Sequence, residues 1–330
     1  MPTLTHDVLN QSLPFEDVNL FDSDLALREG LEREGARWAV DRARDTGAVA
    51  GSAEALEHGR RAERNEPRLL THDRFGHRID QVELDPSWHW LLRGAVEREI
   101  HSLPWRVPQR GAHVARAALE LLWTHANAGV MCPVSMTYSA VPALRTDADL
   151  AAEWEPRLTL PDYERGALCG MAMTEKQGGS DVRANTTRAE PAGDGWWELT
   201  GHKWFCSYPP CDVFLVLAQA PAGLTCFVVE RGPGMEIQRL KDKLGTRSLP
   251  SSEVEPIVQS SRVWLTISMI VATPRPSSPT SWAQAPRNST SLDAFERLPT
   301  LSLSRTRRKP LRSPSGVQRG KRKHEMPRSA

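Results

Sequence analysis

The chain has 330 residues, of which 39% are hydrophobic and 25% charged. These are ordinary values for a soluble protein, and the length allows two or three domains. No apolar run approaches the length of a membrane span, and the N-terminus lacks a signal peptide's charged-then-apolar layout, so a cytoplasmic protein is expected.

The net charge of +1 hides an asymmetry. Residues 256–330 carry 14 Lys and Arg against 3 Asp and Glu, while the first 255 carry 28 against 38. The five cysteines are Cys132, Cys169, Cys206, Cys211 and Cys226. None sits in a Cys-x-x-Cys pair, so neither a zinc site nor a redox motif is indicated, and buried thiols in a reducing compartment are expected.

Residues 1–20 read as an extended arm holding Pro2 and Pro14. Asp22, Ser23 and Asp24 offer N-caps to a helix from Leu25. That helix is expected to continue past Gly35 to Arg44, with Leu27, Leu31, Trp38 and Val40 on an apolar stripe. Residues 53–64 form the next helical candidate, ended by Pro67. His72 to Val82 look irregular, broken by Asp73, Gly76 and Asp80. Pro86 opens another helix where its missing N–H does no harm. It carries Trp88, Trp90, Leu91, Leu92, Ala95 and Val96. Helices over Ala112–Asn127 and Cys132–Leu144 complete an all-helical domain over 1–165. His89, His101, His113 and His125 lie along it. No two are three or four residues apart, so none are neighbours on a helix face and no metal site is expected.

From Ala167 the pattern changes. Candidate strands are Leu168–Met173, Thr186–Glu190, Trp196–Thr200, Lys203–Ser207, Val213–Ala218 and Leu224–Glu230, separated by Gly- and Pro-containing turns. Short strands at this spacing predict an antiparallel sandwich or small barrel. The fold class is therefore α+β: a helical domain, a β-domain over 166–255, then a Ser/Pro/Arg-rich segment over 256–330. That last segment buries too little apolar surface to offset its ordering entropy, so disorder is expected. Its one apolar piece, Val263–Val271, is short and isolated.

One stretch organises the functional reading. Met171-Ala172-Met173-Thr174-Glu175-Lys176-Gln177-Gly178-Gly179-Ser180-Asp181 starts like the end of a buried strand and runs into paired glycines. Such a pair allows a tight turn and close backbone approach to a ligand, and successive N–H groups there can form an anion-binding nest. On spacing alone, an ordinary Gly-Gly turn is an equal alternative.

The residues themselves say more. Met-x-Met-Thr-Glu-x-x-Gly-Gly-Ser-Asp resembles the flavin loop of the acyl-CoA dehydrogenase family. Gly201-His202-Lys203-Trp204-Phe205-Cys206-Ser207 resembles that family's second flavin-contacting block, and Lys243-Leu244-Gly245-Thr246-Arg247-Ser248 resembles the closing segment of the same β-domain. The wording of the first two blocks looks most like the adaptive-response (AidB-like) branch. The resemblance runs from about Leu9 to Glu255.

The resemblance implies FAD as cofactor and an acyl-CoA or similar small molecule as substrate. It implies that Met171, Met173, Thr174, Gly179 and Ser180 line the flavin, with Thr174 hydrogen-bonding near N5 and O4. Phe205 takes the place of a frequent Trp and packs on the ring system; Cys206 and Ser207 complete the strand contact, Ser207 replacing a frequent Thr. Ser180 contacts flavin or the substrate's pantetheine arm, or acts only in the turn. Arg247 either meets a CoA phosphate or holds the Gly245 loop.

The family's catalytic glutamate lies in a C-terminal helical domain that residues 256–330 do not resemble. No catalytic base is assigned, and impaired activity and a compromised family oligomer are expected. The basic tail reads either as a nucleic-acid-binding segment or as a shifted reading frame. Three functional readings follow: a truncated flavoprotein dehydrogenase, a non-catalytic DNA-associated flavoprotein, or a product that does not work.

Overall fold

The computed structural model describes residues 8–193, 196–258 and 264–268. Helices α1 (Leu20–Ser23), α2 (Leu25–Arg33), α3 (Val40–Ala50) and α4 (Ala53–Arg64) open the chain. Side chains of Asn19, Asp24 and Ser52 accept hydrogen bonds from the first turns of α1, α2 and α4, satisfying N–H groups that a helix leaves orphaned. The helix expected to run through to Arg44 is broken instead. Gly35 adopts φ +80°, a left-handed conformation that favours glycine, and a Cβ there would also push on the Arg110 side chain, 2.8 Å from its Nε. The chain turns there and restarts as α3.

A second difference follows at once. The stretch from His72 to Val82, read as irregular, supplies the turn and most of the second strand of a hairpin, β1 (Arg68–His72) against β2 (Arg78–Glu83). Asp73 and Gly76 are its turn: Asp73 Oδ1 accepts from the N–H groups of Phe75 and His77. The region is thus mostly, not wholly, helical. Helices α5 (Pro86–Glu97), α6 (Leu103–Arg106), α7 (Ala112–Thr124), α8 (Met131–Leu144) and α9 (Ala148–Leu158) complete it. Asp85 and Asp147 cap α5 and α9. Among the described residues no helix is long and apolar enough to cross a membrane.

Nine strands follow among the described residues: β3 (Cys169–Thr174), β4 (Arg188–Gly193), β5 (Trp196–Thr200), β6 (Lys203–Ser207), β7 (Val213–Ala220), β8 (Gly223–Glu230), β9 (Met235–Leu240), β10 (Ser251–Val258) and β11 (Trp264–Ser268). Their order is β11-β8-β7-β3-β6-β10-β5-β4, with β9 beside β10. Arg188 of β4 also pairs with Gln219 of β7, so the sheet curls and closes on itself. Most pairings are antiparallel, as expected; β3 and β4 each pair parallel with β7.

The start of the C-terminal segment adds to the sheet. Residues 256–258 continue β10, and Trp264–Ser268 pairs antiparallel with β8, so part of the stretch expected to be disordered belongs to the sheet. Residues 269–330, including the basic runs on which a nucleic-acid reading would rest, lie outside the described residues.

The core explains the arrangement. One apolar cluster joins the helices to the inside of the curled sheet, from Trp88, Leu91 and Trp123 to Cys206, Phe214, Val216 and Phe227. Trp88 stacks on Tyr208 across the seam, ring centroids 5.6 Å apart. A second cluster packs Leu144, Trp154 and Leu158 of α8 and α9 on the other side of β3, β7 and β8. Strand β7 is therefore buried on both faces, which is why its first six residues are apolar without alternation. Each fully buried Leu or Phe here contributes about 1.5–3 kcal/mol of transfer free energy.

Candidate functional site

Strands β3 and β6 lie side by side and antiparallel. Ala172 stands opposite Cys206 and Thr174 opposite Phe205. One more residue sits in β3 than in β6 between those two pairs, a β-bulge at Met173. The bulge decides which side chains share a face. Ala172 and Cys206, 1% and 0% exposed, point into the core. Beyond the bulge Met173 and Thr174 are half-buried beside Phe205, which is 43% exposed. Alternation puts Met171 and Ser207 on that same outer side. Met171 and Met173 also lean on the second core cluster.

The side chain of Cys206 therefore departs from the other site candidates. Burial pushes its thiol up to about 12. Its carbonyl already accepts a hydrogen bond from Ser252 Oγ at 2.8 Å. It supports the strand and presents no side chain to the outer face. Ser207 Oγ lies 3.2 Å from Ser251 Oγ on β10.

The paired glycines act differently from each other. Glu175 and Gly178 bridge back to one another, so Lys176 and Gln177 make the turn. Neither glycine has a positive φ. Gly179 matters through close approach: a Cβ there would lie 2.8 Å from Thr174 Cγ2 and 3.1 Å from Thr174 Oγ1. The loop thus folds back onto the Thr174 side chain. Ser180 is exposed beyond it, and Asp181 Oδ1 caps a short 3-10 turn by accepting from Arg183 N–H.

What fixes this loop is a residue the sequence reading quoted but did not single out. The Glu175 carboxylate is fully buried. Its Oε1 accepts from Lys203 Nζ at 2.8 Å and from the Thr187 backbone and hydroxyl. Its Oε2 accepts from the Thr186 backbone and hydroxyl and from Gln177 Nε2. Burial opposes its charge, but these donors, Lys203 first, hold it well below the usual carboxylate range. Lys176 N–H adds a bond to His202 Nε2 at 3.0 Å, so that ring nitrogen is an acceptor. Both blocks are tied together at two places. The sequence marks the pair only faintly: Glu175 stands among Thr174, Lys176 and Gln177, and Lys203 between His202 and Trp204.

The third block serves the frame. Arg247 Nε donates to Glu66 at 2.7 Å and Arg247 N–H to Glu63 at 2.8 Å, both beside α4. Ser248 Oγ bonds Glu63 too. These bonds hold the loop after Gly245 against the end of α4. Lys243 Nζ donates to the carbonyls of Thr246 and Leu249, each at 2.7 Å, and burial lowers its pKa.

Comparison with known proteins agrees with this layout. Residues 10–165 match the adaptive response protein AidB N-terminal domain, and residues 170–256 match the acyl-CoA dehydrogenase middle domain. The chain is 45% identical over 268 residues to the putative acyl-CoA dehydrogenase AidB of Escherichia coli, covering 76% of this chain and 50% of that protein. The solved structure of Bd2924 in its apo form superposes with a TM-score of 0.69 at 30% identity, over 75% of this chain and 54% of that one. Caenorhabditis elegans ACDH-11, solved in complex with C11-CoA, superposes with a TM-score of 0.67 at 28% identity, over 78% and 49%. The chain thus spans about half the length of these relatives.

Proposed function

The chain belongs to the acyl-CoA dehydrogenase family over residues 10–256, and from that premise we propose that the outer face of β3 and β6 seats the isoalloxazine of FAD for oxidation of an acyl-CoA. The observation that carries the reading is the pairing of Thr174 with Phe205 beside a bulge that turns both outward. The residues fit the group. Phe205 offers an exposed aromatic face for stacking. Thr174 supplies a hydroxyl beside it, and Gly179 keeps that corner free of a Cβ.

Bound FAD supplies the hydride acceptor. The residues of this chain orient it and shape its surroundings. Thr174 Oγ1 donates to the ring edge where negative charge gathers, a contact stronger in the reduced form than in the oxidised one. Met171 and Met173 flank the ring with apolar, adaptable surface that excludes water. Ser180, exposed past the glycines, faces either the cofactor or the pantetheine arm of the substrate. The buried Glu175–Lys203 pair acts at one remove, by fixing the loop. All five cysteines are free thiols, which fits a reducing compartment such as the cytoplasm.

FAD titration of the 330-residue chain, followed by flavin fluorescence, tests the reading. Saturable uptake with quenching supports it; fluorescence that stays that of free FAD throughout sinks it.

A further inference from the structure

Immediately after β9, Lys241 turns back over β6 and β10. Its ammonium stands 3.2 Å from the centroid of the Trp204 indole and 4.6 Å from the centroid of the Phe205 ring. The side chain is only 8% exposed. Its backbone N–H donates to Ser251 O at 2.8 Å, which sets where the side chain starts.

One carboxylate answers this charge. Glu253 Oε1 accepts from Lys241 Nζ at 3.1 Å and from Arg239 Nε at 2.6 Å. Lys176 Nζ approaches Glu253 Oε2 at 3.7 Å. Arg239 and Lys176 each lie 5.6 Å from the Trp204 centroid. Three cations thus gather at one indole around a single acid. A lysine usually lets its head reach water while its stem covers apolar surface. Lys241 keeps its head covered against two aromatic faces, at a cost in solvation and in rotamer freedom. A salt bridge made for stability alone would not need that excess of positive charge.

We propose that Lys241 is a positioning residue that sets the oxidised–reduced balance of the flavin seated on Phe205. The inference rests on the flavin-face reading above. A ring stacked on Phe205 has its centroid about 4.5–7 Å from the Phe205 centroid. Lys241 stands 4.6 Å from the same centroid, so it lies within about 12 Å of such a ring, and its covered ammonium is screened less than an exposed one. Two-electron reduction adds negative charge to the isoalloxazine, and a fixed cation beside it favours the reduced form. Glu253 opposes the effect electrostatically while holding the ammonium in place.

The test compares dissociation constants for oxidised and for dithionite-reduced FAD, measured anaerobically on the full chain. Lys241→Met is expected to lower the preference for reduced FAD about tenfold, with oxidised FAD bound as before to within about threefold. Lys241→Arg restores the preference by keeping the charge. Glu253→Gln raises it by several-fold, and this variant carries the test should Lys241→Met lose its cooperative unfolding transition. Oxidised FAD bound normally by Lys241→Met or Glu253→Gln with an unchanged preference overturns the role of Lys241 alone. No FAD uptake by the unsubstituted chain overturns the flavin face, and this inference with it.

Discussion

Glu175 Oε1 and Lys203 Nζ meet at 2.8 Å in the interior, and neither side chain has any exposed surface. The two residues come from the two blocks that form the site, 28 positions apart. Removing one partner leaves the other charge buried and unanswered. Lys203→Met is therefore expected to destabilise the chain by about 3–5 kcal/mol, and Glu175→Gln by a similar amount. Both changes together should cost clearly less than the sum, because the orphaned charge is then gone. Urea unfolding of the two single variants and the double variant checks this; strict additivity would show that the pair is not coupled.

The adjacent glycines should respond unequally to the same substitution. A Cβ at Gly178 meets nothing within 4 Å, so Gly178→Ala should leave both stability and FAD affinity within about twofold. A Cβ at Gly179 collides with Thr174, which must leave its rotamer. Gly179→Ala should weaken FAD binding by about tenfold while the unfolding midpoint moves little. Equal FAD affinities for the two variants would detach Gly179 from the site.

Acid sensitivity should trace in part to His101. It is 1% exposed, and burial lowers its pKa from 6.5 to about 4, against smaller opposing effects of the Leu160 carbonyl and Glu99; Arg106 and Arg116 lower it further. The unfolded chain takes up this proton below about 6.5, whereas the folded chain resists it until about 4. Stability is full above the unfolded value and falls as the pH drops towards 4. At pH 5 the loss from this residue is roughly 2 kcal/mol. His101→Gln, which keeps a donor for the Leu160 carbonyl, should lose about that much less stability between pH 7.5 and pH 5. Urea unfolding at the two pH values measures it, and parallel losses in both proteins would contradict it.

How far the sequence carried depended on the physical scale of each feature. Strands β5 and β6 were legible to the residue, because apolar runs and turn residues are local signals. The bulge at Met173 was not, since an extra residue shows only against its partner strand. Cys206 was grouped with Phe205 and Ser207, although a strand's period of two places neighbours on opposite faces; that rule alone would have turned its thiol inward. The β1–β2 hairpin reads as a loop because its alternating pattern is short and mostly polar. Strand β11 lies within the apolar piece Val263–Val271, which looks isolated in the sequence because its partner, β8, is distant along the chain. Glu175 and Lys203 sat in plain view, but a buried ion pair is a long-range fact, invisible until the two strand ends are brought together.

The open aromatic face of Phe205 carries the flavin site most directly. Phe205 is 43% exposed, so Phe205→Ala should cost only about 1–2 kcal/mol of stability, from the covered part of the ring and its contact with Lys241, and leave the fold intact. The same substitution removes the stacking surface, and Thr174→Val removes the hydroxyl at nearly constant shape. Equilibrium FAD titration of these two variants beside the unsubstituted chain should show affinity lowered at least tenfold by Phe205→Ala and about three- to tenfold by Thr174→Val. Saturable binding to the unsubstituted chain that neither substitution alters would place the flavin elsewhere and contradict the account.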